Sequence, residues 1–164
     1  MRSLGAAIFR LEHCPSTRAQ RLELFEAHQR YLFDIVDGFV INVSSPNTPN
    51  LRELQKDEDL ARIITEVQKY SGEKPVLIKI APDLEDMQIR SIVDTARGLD
   101  CAGIIATNTT TVRPEQSGIM LETGGLSGSP LRSRSPEIIR LIADHTDGGW
   151  PIIGVGGIST SEDA

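Results

Sequence analysis

The sequence predicts an α/β chain forming a partial TIM (β/α)8 barrel, with about four parallel strands and alternating helices. Three observations predict it. Short continuous apolar runs recur at 39–43, 76–80, 102–106 and 152–155, as suits strands buried on both faces of a parallel sheet. Segments with apolar residues at helical spacing separate these runs. Each run also ends in a polar or glycine-rich loop, which places the chemistry at the strands' carboxyl ends, the plan of a barrel enzyme.

A first helix is expected over about 17–36, with Leu22, Phe25, Leu32 and Val36 inward. The first apolar run leads into Asn42-Val43-Ser44-Ser45-Pro46-Asn47-Thr48-Pro49-Asn50-Leu51-Arg52, a polar loop stiffened by two prolines that fix φ and remove donors. Leu60, Ile63, Ile64 and Val67 follow i, i+3, i+4, i+7 and predict the next helix. Asp57, Glu58 and Asp59 at its start are solvated acids favoured by the helix dipole. The second run ends in Lys79-Ile80-Ala81-Pro82-Asp83, followed by a helix with Ile89, Ile92, Val93 and Ala96 inward, whose start holds Glu85 and Asp86. The third run ends in Thr107-Asn108-Thr109-Thr110. Residues 109–134 are too many for an ordinary connection and contain Thr123-Gly124-Gly125-Leu126-Ser127-Gly128, so they read as a functional loop. Ile138, Leu141 and Ile142 mark a shorter helix before the last run, which ends in Gly154-Val155-Gly156-Gly157. The order is αβαβαβαβ, with at least three right-handed crossovers. Ser159-Thr160-Ser161-Glu162 has the form of a capping box that starts another helix. The sequence stops two residues later, and four strands are half of what a closed barrel uses. The expectation is a chain cut short.

The 164 residues suffice for one domain with a core. Hydrophobic residues at 39% and charged residues at 24% are ordinary for a folded soluble chain. A formal charge of −6 argues against a nucleic-acid partner, which wants a basic face. It leaves phosphate binding by backbone amides open. Cys14 and Cys101 form no metal or disulfide pattern, so a reducing compartment is expected. His13, His28 and His145 are dispersed, without metal-ligand spacing. No apolar run approaches the roughly 20 residues needed to cross a bilayer, and no signal peptide is evident.

Several side chains in these loops suit a site for a small, flat, polar molecule. An amide both donates and accepts, which fits a ring bearing carbonyls and N–H groups. Asn42 directly continues an apolar strand, where an amide needs partners. Read from the residues alone, Asn47 and Asn108 are equally good turn formers, and Ser44 with Ser45 forms a turn with Pro46. Lys79 sits inside an apolar run, where a charge is costly unless paired. It either serves a site or forms a salt bridge with an acid such as Asp83. The glycines at 154, 156 and 157 before a capped helix read as a phosphate cradle.

The blocks FVINVSSPNTPNLRELQ, KPVLIKIAPDL, AGIIATNTT, ETGGLSGSPLR and PIIGVGGISTSEDA occur together in this order. In that combination the chain resembles the quinone-dependent (class 2) dihydroorotate dehydrogenases from residue 39 to the end. The resemblance implies oxidation of dihydroorotate to orotate in de novo pyrimidine biosynthesis, with hydride transfer to flavin mononucleotide (FMN) and reoxidation by a quinone. It implies Ser45 as catalytic base, where the cytosolic class has cysteine. It implies Asn42, Asn47, Asn108 and Thr109 as substrate-binding residues, and Asn42, Lys79, Thr107, Gly128 and Gly157 as FMN-binding residues. Residues 1–164 then form a partial flavin-binding domain, lacking the family's N-terminal region and last βα unit. The parent enzyme is expected to associate peripherally with a membrane, on the cytoplasmic side in a bacterium, through that N-terminal region. Two rivals stay open: a noncatalytic half-barrel fragment, and another FMN-dependent barrel oxidoreductase, for which the asparagines would differ.

Overall fold

The computed structural model describes residues 6–8, 33, 35–46, 52, 55, 57–113 and 124–163. Five parallel strands lie side by side in chain order: β1 (Ala6–Ile8), β2 (Gly38–Asn42), β3 (Val76–Ile80), β4 (Gly103–Ala106) and β5 (Ile152–Gly154). The four expected strands are present within a residue or so of their apolar runs. β1 is additional, pairing Ala7 with Phe39. The expected first helix falls largely outside the described residues; Val36, placed at its end, instead leads into β2 and is buried.

Between the strands run α1 (Asp57–Ser71), α2 (Asp86–Gly98) and α3 (Arg134–His145). Their apolar faces follow the spacing in the sequence. α1 buries Leu60, Ile64 and Val67, α2 buries Ile89, Ile92, Val93 and Ala96, and α3 buries Ile138 and Ile142. Gln88 turns back to accept the Glu85 N–H at 3.0 Å, which fixes where α2 begins. None of the helices among the described residues is long and apolar enough to cross a membrane.

Register decides which side chains each face of the sheet presents. Ile41, Ile78, Ile104 and Ile152 stand side by side across β2 to β5, and the core cluster joins this row to the three helices. Fully burying a side chain such as Ile78 or Ile104 stabilises the fold by about 1.5–3 kcal/mol. Because strand side chains alternate, the next row, Asn42, Lys79, Ile105 and Ile153, faces the other way. That face carries no helix among the described elements. Asn42, Lys79 and Ile105 are half-buried there, and Ile153 is exposed. Sequential strands with helices on one side only give the curled sheet of a barrel rather than a doubly wound sheet.

Below the sheet, Trp150 donates its indole N–H to the Cys101 carbonyl at 3.0 Å. Burial, and after it the charge of Asp100, pushes the Cys101 thiol up to about 11. It is a packing residue, remote from the carboxyl ends of the strands.

Candidate active site

The loops after β2, β3, β4 and β5 gather at one end of the sheet, as parallel strands require. Asn42 ends β2 with its amide oxygen accepting three bonds: from Ser44 Oγ at 2.9 Å, Ser44 N–H at 3.3 Å and Asn108 Nδ2 at 3.2 Å. Asn108 Nδ2 also donates to Ser44 Oγ at 3.0 Å, and its Oδ1 accepts the Thr109 N–H at 2.8 Å. Two loops 66 residues apart in sequence thereby share one polar cluster. The Asn108 N–H is held by the Ile80 carbonyl at 2.8 Å, so β3 sets the height of the loop after β4. Ser45, which follows the cluster, is 5% exposed. Asn47 lies outside the described residues.

Lys79 is the register partner of Asn42, so both stand on the helix-free face. The salt bridge with Asp83 that the residues alone left open does not form. Asp83 pairs instead with Arg52, and among the described residues Lys79 has no ion-pair partner. A half-buried ammonium with no carboxylate favours a nearby anion or electron-rich group.

Arg52 and Asp83 form a second cluster that the sequence reading passed over. Arg52 donates from Nε to the Ser44 carbonyl at 3.2 Å and from Nη2 to the Thr109 carbonyl at 3.0 Å, while Nη1 meets Asp83. Asp83 also accepts from Thr110 Oγ1, from Thr111 N–H at 2.9 Å and from Thr111 Oγ1 at 3.0 Å. Burial raises the Asp83 pKa, but the hydrogen bonds from Thr110, Thr111 and Arg52 outweigh it and hold the carboxyl below its ordinary range. The lone arginine in the proline-stiffened loop was the available signal.

Thr107 pairs through its backbone with Val155 at 2.8 Å, and its hydroxyl lies 3.2 Å from Ser135 Oγ and 3.0 Å from the Asn108 carbonyl. It is buried and joins the loop after β4 to the one after β5. The long loop returns at Leu126, which bonds Thr110 in both directions at 2.8 and 2.9 Å. Gly125 sits so close that a Cβ would overlap Thr109 Oγ1 and come within 2.9 Å of Pro46 Cγ, so glycine is needed for residue 125 to pack against the loops after β2 and β4.

Gly128, at φ +77°, has open space where a side chain would project. Gly157, at φ +75°, does not: a Cβ would fall 2.5 Å from the Arg132 nitrogen. The glycine turn after β5 therefore packs directly on the turn at Ser129–Leu131, and both lie next to the start of α3. The expected capping box is built differently. Asp163, rather than Glu162, accepts the N–H groups of Ser159 and Thr160 at 3.0 Å each, and Ser161–Asp163 is a 3-10 turn. A carboxylate three or four residues on satisfies the same free donors that Glu162 was expected to meet.

Residues 16–164 match the family described as dihydroorotate dehydrogenase. The dihydroorotate dehydrogenase (quinone) of Christiangramia forsetii is 51% identical over 138 residues, covering 81% of this chain and 41% of that protein. The enzyme of the same name from Thermosynechococcus vestitus is 48% identical over 151 residues, covering 86% and 42%. In structure, the dihydroorotate dehydrogenase of Eimeria tenella in complex with ferulenol superposes with a TM-score of 0.81 at 33% identity, covering 91% of this chain and 46% of that one. The chain spans about two fifths of the length of the curated relatives it matches.

Proposed function

The chain belongs to the dihydroorotate dehydrogenase family, and on that premise we propose that its protein oxidises dihydroorotate to orotate, using FMN and a quinone as electron acceptor. The observation that carries this reading is the shared amide–hydroxyl cluster of Asn42, Ser44 and Asn108, beside an ammonium with no ion pair among the described residues. Amides that donate and accept suit a ring with alternating carbonyl and N–H groups. Asn42, Asn108 and Thr109 would bind that ring, with Asn47 from the same loop as Asn42.

The residues present fit a flavin nucleotide. Lys79 offers positive charge on the helix-free face, and Gly128 leaves its backbone open to close approach. Asn42, Lys79, Thr107, Gly128 and Gly157 would hold the cofactor, Thr107 and Gly157 chiefly by shaping the turns. When bound, FMN supplies the acceptor for the hydride.

Ser45 Oγ takes the proton from the ring carbon adjacent to the one that gives up the hydride. Serine is a weak base, so its surroundings must stabilise the transferred proton and exclude water. Its burial supports that role. The Asn42–Ser44–Asn108 bonds hold the loop so that the substrate amides and the base keep a fixed spacing. A quinone is lipid-soluble, so peripheral association with a membrane surface is part of the proposal.

The test is to load the intact protein with FMN, add dihydroorotate and a soluble quinone analogue, and follow orotate. Orotate formation that depends on both FMN and quinone is expected. Protein that retains FMN yet leaves dihydroorotate unchanged would overturn the reading.

A further inference from the structure

We infer that Arg52 is a positioning residue for this reaction: with Asp83 it clasps the loops after β2, β3 and β4, fixing Ser45 relative to Asn108 and Thr109. The inference rests on the proposed activity for what the clasp positions, and on geometry for the clasp itself. Arg52 reaches the carbonyl of Ser44, one residue before the proposed base, and the carbonyl of Thr109, one residue after the amide that completes the polar cluster. Its third direction goes to Asp83, on the loop after β3. Asp83 in turn holds Thr110 and Thr111.

A planar guanidinium directs its five donors along fixed lines, whereas an ammonium is a compact point charge. Three acceptors on three loops need the former. The guanidinium is itself largely enclosed, at 23% side-chain exposure, and Asp83 at 18%, so the pair is not the loose surface bridge that contributes little. Gln55 extends the link: it donates to the Arg52 carbonyl at 3.2 Å and accepts the Ala81 N–H at 3.4 Å. Every contact that Arg52 makes to the two site loops is through backbone carbonyls or Thr111, so it acts by placing other groups.

The experiment compares Arg52→Ala, Arg52→Lys and Asp83→Ala with Arg62→Ala, an exposed arginine on α1, in the intact FMN-loaded protein. Arg52→Ala should keep stoichiometric FMN, raise KM for dihydroorotate and lower kcat, with kcat/KM falling roughly ten- to a hundredfold. Arg52→Lys should recover only a minor part. The Arg52→Ala/Asp83→Ala double variant should lose little more than Arg52→Ala, because the two act as a unit. Amide hydrogen exchange of Arg52→Ala should quicken at Ser44, Ser45 and residues 107–111 and stay unchanged in α2 and α3. Wild-type kcat and KM in Arg52→Ala, full recovery by lysine, or faster exchange throughout the fold would each overturn the inference. If the wild type forms no orotate but exchange still quickens only in those two loops, the clasp stands and the proposed activity is what fails.

Discussion

Ile78 and Lys79 are neighbours in β3 yet belong to different parts of the molecule. Ile78 points into the core shared with the helices and is fully buried. Lys79 points to the helix-free face beside Asn42. One face of the sheet is a continuous row of isoleucines, and the other mixes amide, ammonium and partly exposed aliphatic groups. The difference teaches where packing ends and the proposed binding face begins: the boundary runs along single strands, at every second residue. At the strands' carboxyl ends the second face continues into the loops, where buried polar groups satisfy one another.

The comparison is broken most forcefully at Ser45. Ser45→Ala in the intact protein should lower turnover by roughly 10²–10⁴-fold, with FMN content unchanged. Ser45→Cys should retain part of the activity, since a thiolate can accept the same proton. Unimpaired turnover of the alanine variant, measured as orotate formed per flavin, would move the base elsewhere.

The adjacent pair in β3 gives the next contrast. Ile78→Ala should destabilise the fold by about 2–5 kcal/mol, by lost transfer energy and a cavity in a packed row. Lys79→Ala should change stability by less than about 0.5 kcal/mol, while weakening FMN binding. Urea unfolding and flavin titration of the two variants separate the faces directly. Equal losses of stability would show that Lys79 is a structural residue. At Gly157 both demands meet. Gly157→Ala forces a Cβ to within 2.5 Å of backbone at a positive φ, so a loss of about 1–3 kcal/mol is expected by the same unfolding measurement.

These faces were unevenly legible in the sequence. Apolar runs such as 76–80 announce buried strands because both neighbours and helices demand them. The helix stripes did the same, and Ile89, Ile92, Val93 and Ala96 are all buried. β1, three residues of Ala-Ala-Ile, carries no such run and becomes a strand only through pairing with β2. Asn42, Ser45, Lys79 and Asn108 could be singled out because each is a polar group where a strand ends or continues. The roles proposed for them came from the resemblance, since spacing alone left turn and salt-bridge readings open. Arg52 stands out in its loop, but its pairing with Asp83 could not be read from sequence. The two are 31 residues apart, and Asp83 had an equally plausible lysine nearer in the chain. Which cation reaches it depends on the pleat: Lys79 points into the sheet's open face, whereas Arg52 comes over the loops.

The smallest expected effect is the pH dependence that this clasp adds. Asp83 is held below the ordinary aspartate value of 3.8, so its protonated form is the less favoured one in the folded protein. A depressed folded pKa contributes stability that is fully present above the unfolded value and is lost as pH falls through the folded one. The contribution should therefore be constant from neutral pH down to about 4 and decline below it. Asp163, whose carboxyl is also lowered, first by the Ser159 N–H and then, against the burial penalty, by Thr160 and Arg132, adds to the same acid slope. Comparison with Asp83→Asn removes that background, because Asp163 is common to both proteins. The difference in unfolding stability between wild type and Asp83→Asn should be largest at neutral pH and shrink below about pH 4. A difference that stays constant across that range would mean that the charge of Asp83 is immaterial, and that its neighbours need only a hydrogen-bond acceptor of the right shape.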